Sequence, residues 1–343
     1  MTVNKEIGMR RHIRLAAAAA ALSAVLATGA AAQQFTMKFG TATPKGDQNF
    51  WMEEFKKAVE ARAGGRIAIK LFPASQLGAI PRQIEGLQLG TVEAWIGPTS
   101  FLTGVESRYQ VMDAPGLFAD WDHAQRTVTH ESFRDEFLNL GEKKGVIGIG
   151  IYTSNPMSVV SRKIPIRKVE DFRGQKFRVL GSALEVEQMR ALGAAGVPMP
   201  LVETLPALQR GGIDGVRSGI VVFVPFKYWT ISRQLTEIGD AYIVPVAFVS
   251  VRWWKTLPQD LRQIMLEEAR KLDDAAYKYA RKQHQLFRGL WTKNGGELID
   301  FPEAERKKLL ELSRDVGAKV AARNAGVKAA YDKLVAAAGA TRQ

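Results

Sequence analysis

The stretch Gln175-Lys176-Phe177-Arg178-Val179-Leu180, running through Gly181 into Ser182-Ala183-Leu184-Glu185, decides the fold class. Its first six residues read as a strand, and Ser182 to Leu192 as a helix. Glu185 stands three residues after Ser182, the spacing of a capping box, which marks that helix's start. The pair then repeats: a strand over Val197 to Leu201, a helix over Glu203 to Gln209, and another strand from Ile213 onward. Strands alternating with helices in this way imply parallel strands joined by crossover helices. The chain is therefore α/β.

Towards the N-terminus the same grammar holds. Phe35 to Thr41 reads as a strand, Asp47 to Ala63 as a helix, and Arg66 to Phe72 as a strand beyond the Gly64-Gly65 stop. Pro81 to Leu89 is a short helix and Val92 to Ile96 a third strand. The two regions share an echo: Leu87-Gln88-Leu89-Gly90-Thr91-Val92-Glu93 matches Leu208-Gln209-Arg210-Gly211-Gly212-Ile213-Asp214 in spacing and residue type. Two related α/β lobes follow, and their facing strand ends would form a ligand cleft. The C-terminal third reads as helical, with Leu261, Ile264, Met265, Leu272, Ala276 and Tyr279 at helical spacing and no breaker before Gly295-Gly296. A helix from Pro258 to about Trp291 would be roughly 50 Å long, enough to run along both lobes. The expected boundaries are 33–153 plus about 243–280 for lobe I, and 154–242 plus about 281–343 for lobe II.

Residues 1–32 read as a secretory signal: Arg10, Arg11 and Arg14, then an apolar run from Leu15 to Leu26, then Ala30-Ala31-Ala32 as a cleavage site. The run falls short of the roughly 20 residues that span a bilayer. Sec export is expected over twin-arginine export, because Arg10-Arg11 lacks the rest of that motif. Removal of this segment takes away four cations and one anion, and lowers the net charge from +13 to +10. A basic balance suits an anionic ligand or surface. The basic residues are scattered among acids, which disfavours nucleic acid. With no cysteine, neither disulfides nor thiolate metal sites are open to an exported chain, so a large apolar core must hold the fold.

Catalytic patterns are scarce. His130-Glu131-Ser132-Phe133-Arg134 lacks the second histidine of a zinc helix, and Gly148-Ile149-Gly150-Ile151-Tyr152-Thr153 lacks the last glycine of a dinucleotide fingerprint. No Gly-x-Ser-x-Gly elbow is present. His123, His130 and His284 are far apart in sequence and are expected at the surface or at caps. No metal, no cofactor and no enzymatic activity are expected.

A longer series of motifs carries a family resemblance. It runs through Gly64-Gly65-Arg66, Pro73-Ala74-Ser75-Gln76-Leu77-Gly78, Ala114-Pro115-Gly116-Leu117-Phe118 and Asp171-Phe172-Arg173-Gly174-Gln175-Lys176-Phe177-Arg178-Val179. Ala191-Leu192-Gly193-Ala194, Pro198-Met199-Pro200 and Leu208-Gln209-Arg210-Gly211-Gly212-Ile213-Asp214-Gly215 continue it. In this order and spacing the chain resembles the periplasmic solute-binding subunits of TRAP (tripartite ATP-independent periplasmic) transporters, of the dicarboxylate-binding type. The resemblance implies a two-lobed periplasmic binding protein with a long helix spanning both lobes. It also implies a small organic acid as ligand and membrane TRAP transporter subunits as partners, and a monomer is expected.

Within that family the arginine on the strand of the strongest block clamps the substrate carboxylate, and its position here is Arg178. From the residues alone, Arg178 could equally form a surface ion pair or a guanidinium fork on a carboxylate. Where many members carry Gln-Glu-Asn-Pro, this chain has Val216-Arg217-Ser218-Gly219, which puts Ser218 in the asparagine's place and Arg217 in an acid's. Asn155-Pro156-Met157-Ser158 holds no second arginine, and the loops Thr41-Ala42-Thr43 and Ile96-Gly97-Pro98-Thr99 carry no charge. The expected ligand has one carboxylate and a fairly apolar remainder, such as a keto or aromatic acid. The candidate site is Arg178, Ser218, Arg217 and Asn155, with Phe223 and Trp229 as aromatic contacts. Two rivals stand beside this reading: a binding module that feeds a sensor, and an exported hydrolase.

Overall fold

Eleven strands among the described residues, 35–342 of the computed structural model, gather into two sheets rather than one. The expected signal segment 1–32 lies outside the described residues. In chain order the first half carries β1 (Phe35–Gly40), α1 (Asp47–Arg62), β2 (Ile67–Phe72), α2 (Ile80–Leu89), β3 (Ala94–Pro98), α3 (Trp121–Val128), α4 (Arg134–Asn139) and β4 (Val146–Ile151). The chain crosses over into β5 (Ser158–Ser161), β6 (Lys176–Val179), α5 (Ala183–Ala191), β7 (Ala195–Pro198), α6 (Leu201–Arg210), β8 (Gly215–Ser218), α7 (Ile220–Phe223) and β9 (Gln234–Glu237). It returns through β10 (Pro245–Ser250), α8 (Val251–Trp254) and α9 (Gln259–Lys293), then ends with β11 (Glu297–Asp300), α10 (Glu303–Ser313), α11 (Val316–Ala321) and α12 (Ala325–Thr341).

The first sheet has the order β2-β1-β3-β10-β4, with β1 parallel to both neighbours and β10 antiparallel to both of its own. The second has the order β11-β9-β5-β8-β6-β7, with β6 parallel to β7 and β8, and β5 antiparallel to β8 and β9. The α/β two-lobed fold expected from the sequence is the one observed.

The sequence echo has a structural cause. Gly90 and Gly211 end α2 and α6 in the same left-handed conformation, φ 79° and 76°, which glycine adopts without a Cβ clash. Each turn leads to an acid that holds the first strand of its repeated unit, β1 or β6: Glu93 accepts from the Lys38 N–H (2.7 Å) and Asp214 from the Lys176 N–H (2.9 Å). One β-α-β unit, built twice, therefore presents β1 and β3 in one lobe much as β6 and β8 in the other. The strand expected over Val197 to Leu201 sits two residues earlier, at Ala195–Pro198. Pro198 and Pro200 have no N–H to extend a ladder, and Leu201 already opens α6.

Two crossing segments join the lobes as a paired ribbon. Ser154 N–H donates to Ile243 O and Ile243 N–H to Asn155 O, both at 2.8 Å, and Met157 N–H donates to Ala241 O at 2.9 Å. Helix α9 is the third connection. It begins against the first-lobe core, where Leu261, Met265 and Ala269 pack with Trp51 and Phe55. At its far end Trp291 meets Trp229 of the second lobe, edge to face at 6.0 Å. Thirty-five residues give it a length of roughly 50 Å.

The end of the chain doubles back. Helix α12 lies on first-lobe elements: Ala338 O meets His123 Nε2 at 2.8 Å and Thr341 Oγ1 meets Thr127 Oγ1 at 2.7 Å. The expectation that all of 281–343 belongs to lobe II is thus corrected at α12, which reaches back across the lobes. His123 and His284 are buried rather than at the surface, because α12 covers the first and the Trp121 ring packs edge-on against the second. That ring is not the whole environment of His284, since Glu237 also stands 2.9 Å from its Nε2.

Candidate functional site

The carboxyl ends of the parallel strands converge between the lobes. From the first lobe come Ala42 and Thr43 after β1, Gln48 in the first turn of α1, Trp95, Gly97 and Pro98 on β3, and Phe101 just beyond. The second lobe supplies Arg178 and Leu180 from the end of β6, Leu201, Ser218 at the end of β8, and Val221 with Val222 on α7. Ile243, on the crossing ribbon, closes the back. The cleft is narrow, with a cavity volume of about 30 Å³, so its walls stand close together.

Arg178 is the one charged side chain of that lining, and it is 1% exposed. Register explains its aim. Arg178 pairs with Val216 on β8, and side chains alternate along a strand, so Arg178, Val216 and Ser218 share the cleft-facing side. Its Nε donates to Met199 O at 3.0 Å, and its guanidinium lies over the Phe101 ring, 5.8 Å from the centroid. No carboxylate forms an ion pair with it among the described residues. Burial pulls its pKa down, and the Tyr228 hydroxyl and the more distant Glu185 offset this only in part. The Tyr228 hydroxyl is itself buried without a hydrogen-bond partner. A buried cation without a counter-ion is costly, and an anion arriving in the cleft would relieve that cost.

Arg217 does not reach the cleft, which corrects its place in the candidate site. One residue before Ser218, it points to the opposite face of β8, where Glu185 and Asp240 hold it in ion pairs, the latter at 3.0 Å. Gln188 Oε1 also accepts from its Nη2 at 3.1 Å. Burial weakens its proton affinity, but Asp240 and Glu185 outweigh this and drive its pKa upward. Phe223 and Trp229 are corrected as well. Val221 and Val222 take the cleft-facing positions of α7, so Phe223 is fully buried in the core against Tyr228, and Trp229, in a later turn, packs on Trp291. Asn155 sits in the hinge ribbon beside Gly219 and the cleft residue Ile243 rather than in the lining; its Nδ2 donates to Ser154 Oγ at 3.0 Å and its Oδ1 is buried without a partner. Ser218 lines the cleft as expected.

Sequence reasoning missed Gln48, Trp95 and Phe101. Gln48 is held by Thr41, whose hydroxyl donates to Oε1 at 2.6 Å and leaves Nε2 as the free donor of the amide. Trp95 folds back over Gly97, where a Cβ would lie 2.4 Å from its ring edge, so glycine is required there. Gln48 and Phe101 follow the carboxyl ends of β1 and β3, where a rule for open α/β sheets points, whereas Trp95 stands near the start of β3 and reaches the cleft by folding back over Gly97. No pattern in the sequence singles out which of them face inward.

The lobes also touch at the cleft mouth. Thr103 Oγ1 of the first lobe donates to Gly181 O of the second at 3.0 Å, and a Cβ on Gly181 would come within 2.7 Å of Ser100 O. The family model described as bacterial extracellular solute-binding protein, family 7, matches residues 39–324. The chain belongs to that family. Among its relatives, the C4-dicarboxylate-binding periplasmic protein DctP of Shewanella loihica is 29% identical over 266 residues, covering 76% of this chain and 78% of the relative. A TRAP periplasmic solute-binding protein from Shewanella oneidensis, solved with bound succinate, superposes with a TM-score of 0.81 at 26% identity over 89% of this chain and 99% of that one. A second, from Haemophilus influenzae with bound L-gulonate, superposes at 0.82 and 22% identity over 88% and 99%, which attests the fold. Membership in family 7 makes the chain a solute-binding protein. Among the described residues no helix is long and apolar enough to cross a membrane.

Proposed function

We propose that this family 7 protein is exported, captures a small organic acid between its lobes, and presents it to the membrane subunits of a TRAP-type secondary transporter. One observation carries the reading: Arg178 is fully buried, lines the interlobe cleft, and forms no ion pair with a carboxylate among the described residues. A bidentate guanidinium–carboxylate pair supplies the missing anion. The relatives named above bind or are named for carboxylates, and their periplasmic setting agrees with the segment 1–32 read as a signal.

The test is a thermal-shift screen of ligand-stripped protein against monocarboxylic, dicarboxylic and sugar acids. At least one acid should raise the melting temperature, since it binds the folded state alone. Small-angle scattering should then show a smaller radius of gyration with that acid, as the lobes hinge shut. If no acid shifts melting, the clamp has been misread. Intact mass of periplasmic protein should begin at Gln33, and a full-length chain in the membrane fraction would sink the export step.

A further inference from the structure

We infer that the ligand class is a 2-oxo monocarboxylate with an apolar tail, and not a dicarboxylate, a polyhydroxy acid or an amino acid. The inference rests on reading Arg178 as the carboxylate clamp, and goes on to the donors and acceptors that remain around it. Arg178 is the only cation of the lining, so a second ligand carboxylate would be buried without a counter-ion. The lining contains no aspartate or glutamate, so an α-ammonium would find no anion. Asp47, next to Gln48, is turned away to the hinge: Tyr152 Oη donates to its Oδ2 at 2.9 Å, and burial raises its pKa.

Uncharged polar groups are few as well. Thr43, Gln48, Ser218 and the Trp95 indole N–H, a buried donor without a partner, are the polar side-chain groups of the lining beside Arg178. A sugar acid brings several hydroxyl donors, each of which needs an acceptor once it leaves water. The chain supplies instead a free amide donor, the Gln48 Nε2, fixed in direction by the Thr41 hydroxyl on Oε1. A donor lining the same cleft as a carboxylate clamp suits a ligand acceptor with no hydrogen of its own, which is what a 2-oxo oxygen is. The rest of the wall is apolar: Phe101, Leu201, Val221, Val222 and Ile243 suit a hydrocarbon tail and offer no side-chain partner to a polar one. The close spacing of the walls favours a ligand planar at its carboxylate end, as a conjugated 2-oxo acid is.

Four related compounds test this on the ligand-stripped protein by calorimetric titration: 4-methyl-2-oxopentanoate, 4-methylpentanoate, leucine and 2-oxoglutarate. The 2-oxo acid should bind tightest. The acid lacking the oxo group should bind roughly fivefold more weakly, the worth of one neutral hydrogen bond. Leucine and 2-oxoglutarate should each fall by about a hundredfold or more, for an unpaired charge. In Gln48→Leu the fivefold preference for the oxo acid should vanish while 4-methylpentanoate keeps its affinity, a split that mere structural damage would not produce. Tightest binding by 2-oxoglutarate, leucine or a sugar acid, lost in Arg178→Ala, would overturn the ligand class and leave the clamp standing. Binding of any of them unchanged in Arg178→Ala, or by none of the acids, would overturn the clamp and with it this inference.

Discussion

Arg178 and Arg217 stand on adjacent strands of one sheet, 1% and 0% exposed, and are used in opposite ways. Arg217 faces the helical layer, where Glu185, Asp240 and Gln188 satisfy it. Arg178 faces the cleft with one backbone carbonyl, one aromatic ring and no carboxylate. The alternation of side chains along β6 and β8 is what separates them. Burial alone therefore does not mark a binding arginine. What marks it is burial in a cleft with the anion missing.

The comparison is broken most severely from the Arg217 side. Arg217→Met should lower unfolding free energy by about 3–5 kcal/mol, because Glu185 and Asp240 are left buried without their shared cation. Urea denaturation measures this, and a midpoint close to that of the parent would show that the network is not the structural arginine's partner set. The next effect in size lies at the cleft mouth. Gly181→Ala puts a Cβ 2.7 Å from Ser100 O in the closed arrangement, an overlap worth about 1–3 kcal/mol. Affinity for the bound acid should fall by roughly five- to 150-fold while the melting temperature without ligand changes little. Parent-like affinity would mean that the lobes close by another path.

A pH dependence tests what lies behind Arg217. Asp113 comes from the first lobe and is buried facing Ser100, Ser182, Glu185 and Arg217. Burial, and then Glu185, push its carboxyl up to about 7. Its folded-state pKa lies above the unfolded value of about 4, so the folded state holds the proton more tightly. That contribution is present in acid and is lost as pH rises from about 4 through 7. Melting temperature should accordingly decline across this window in the parent, and less so in Asp113→Asn. Equal slopes in the two proteins would remove Asp113 from the network.

Much of the fold was legible in the sequence because periodicity and caps are local. The Gly90 and Gly211 turns, the Ser182 cap, which accepts from the Glu185 N–H at 3.3 Å, and the 35-residue helix each rest on residues close together in the chain. The site was legible only in part. Arg178 and Ser218 fall on a motif, but the aim of Arg217 depends on which face of β8 the second-lobe helices cover. The placing of Phe223 and Trp229 depends on packing against Tyr228 and Trp291, the second of them far away in sequence. Gln48 is chosen by a hydroxyl seven residues away and by a lobe that meets it only in three dimensions.

The central claim is that a ligand carboxylate completes Arg178, and a double-mutant cycle tests it most directly. Calorimetry would compare the tightest-binding acid of the thermal-shift panel with its primary amide, in the parent and in Arg178→Met. The parent should prefer the acid by about 2–5 kcal/mol, roughly 30- to 4,000-fold, because the amide leaves the guanidinium unpaired. In Arg178→Met, with melting temperature kept, acid and amide should bind alike. The same acid-over-amide preference in both proteins would contradict the account, since the carboxylate would then be held elsewhere.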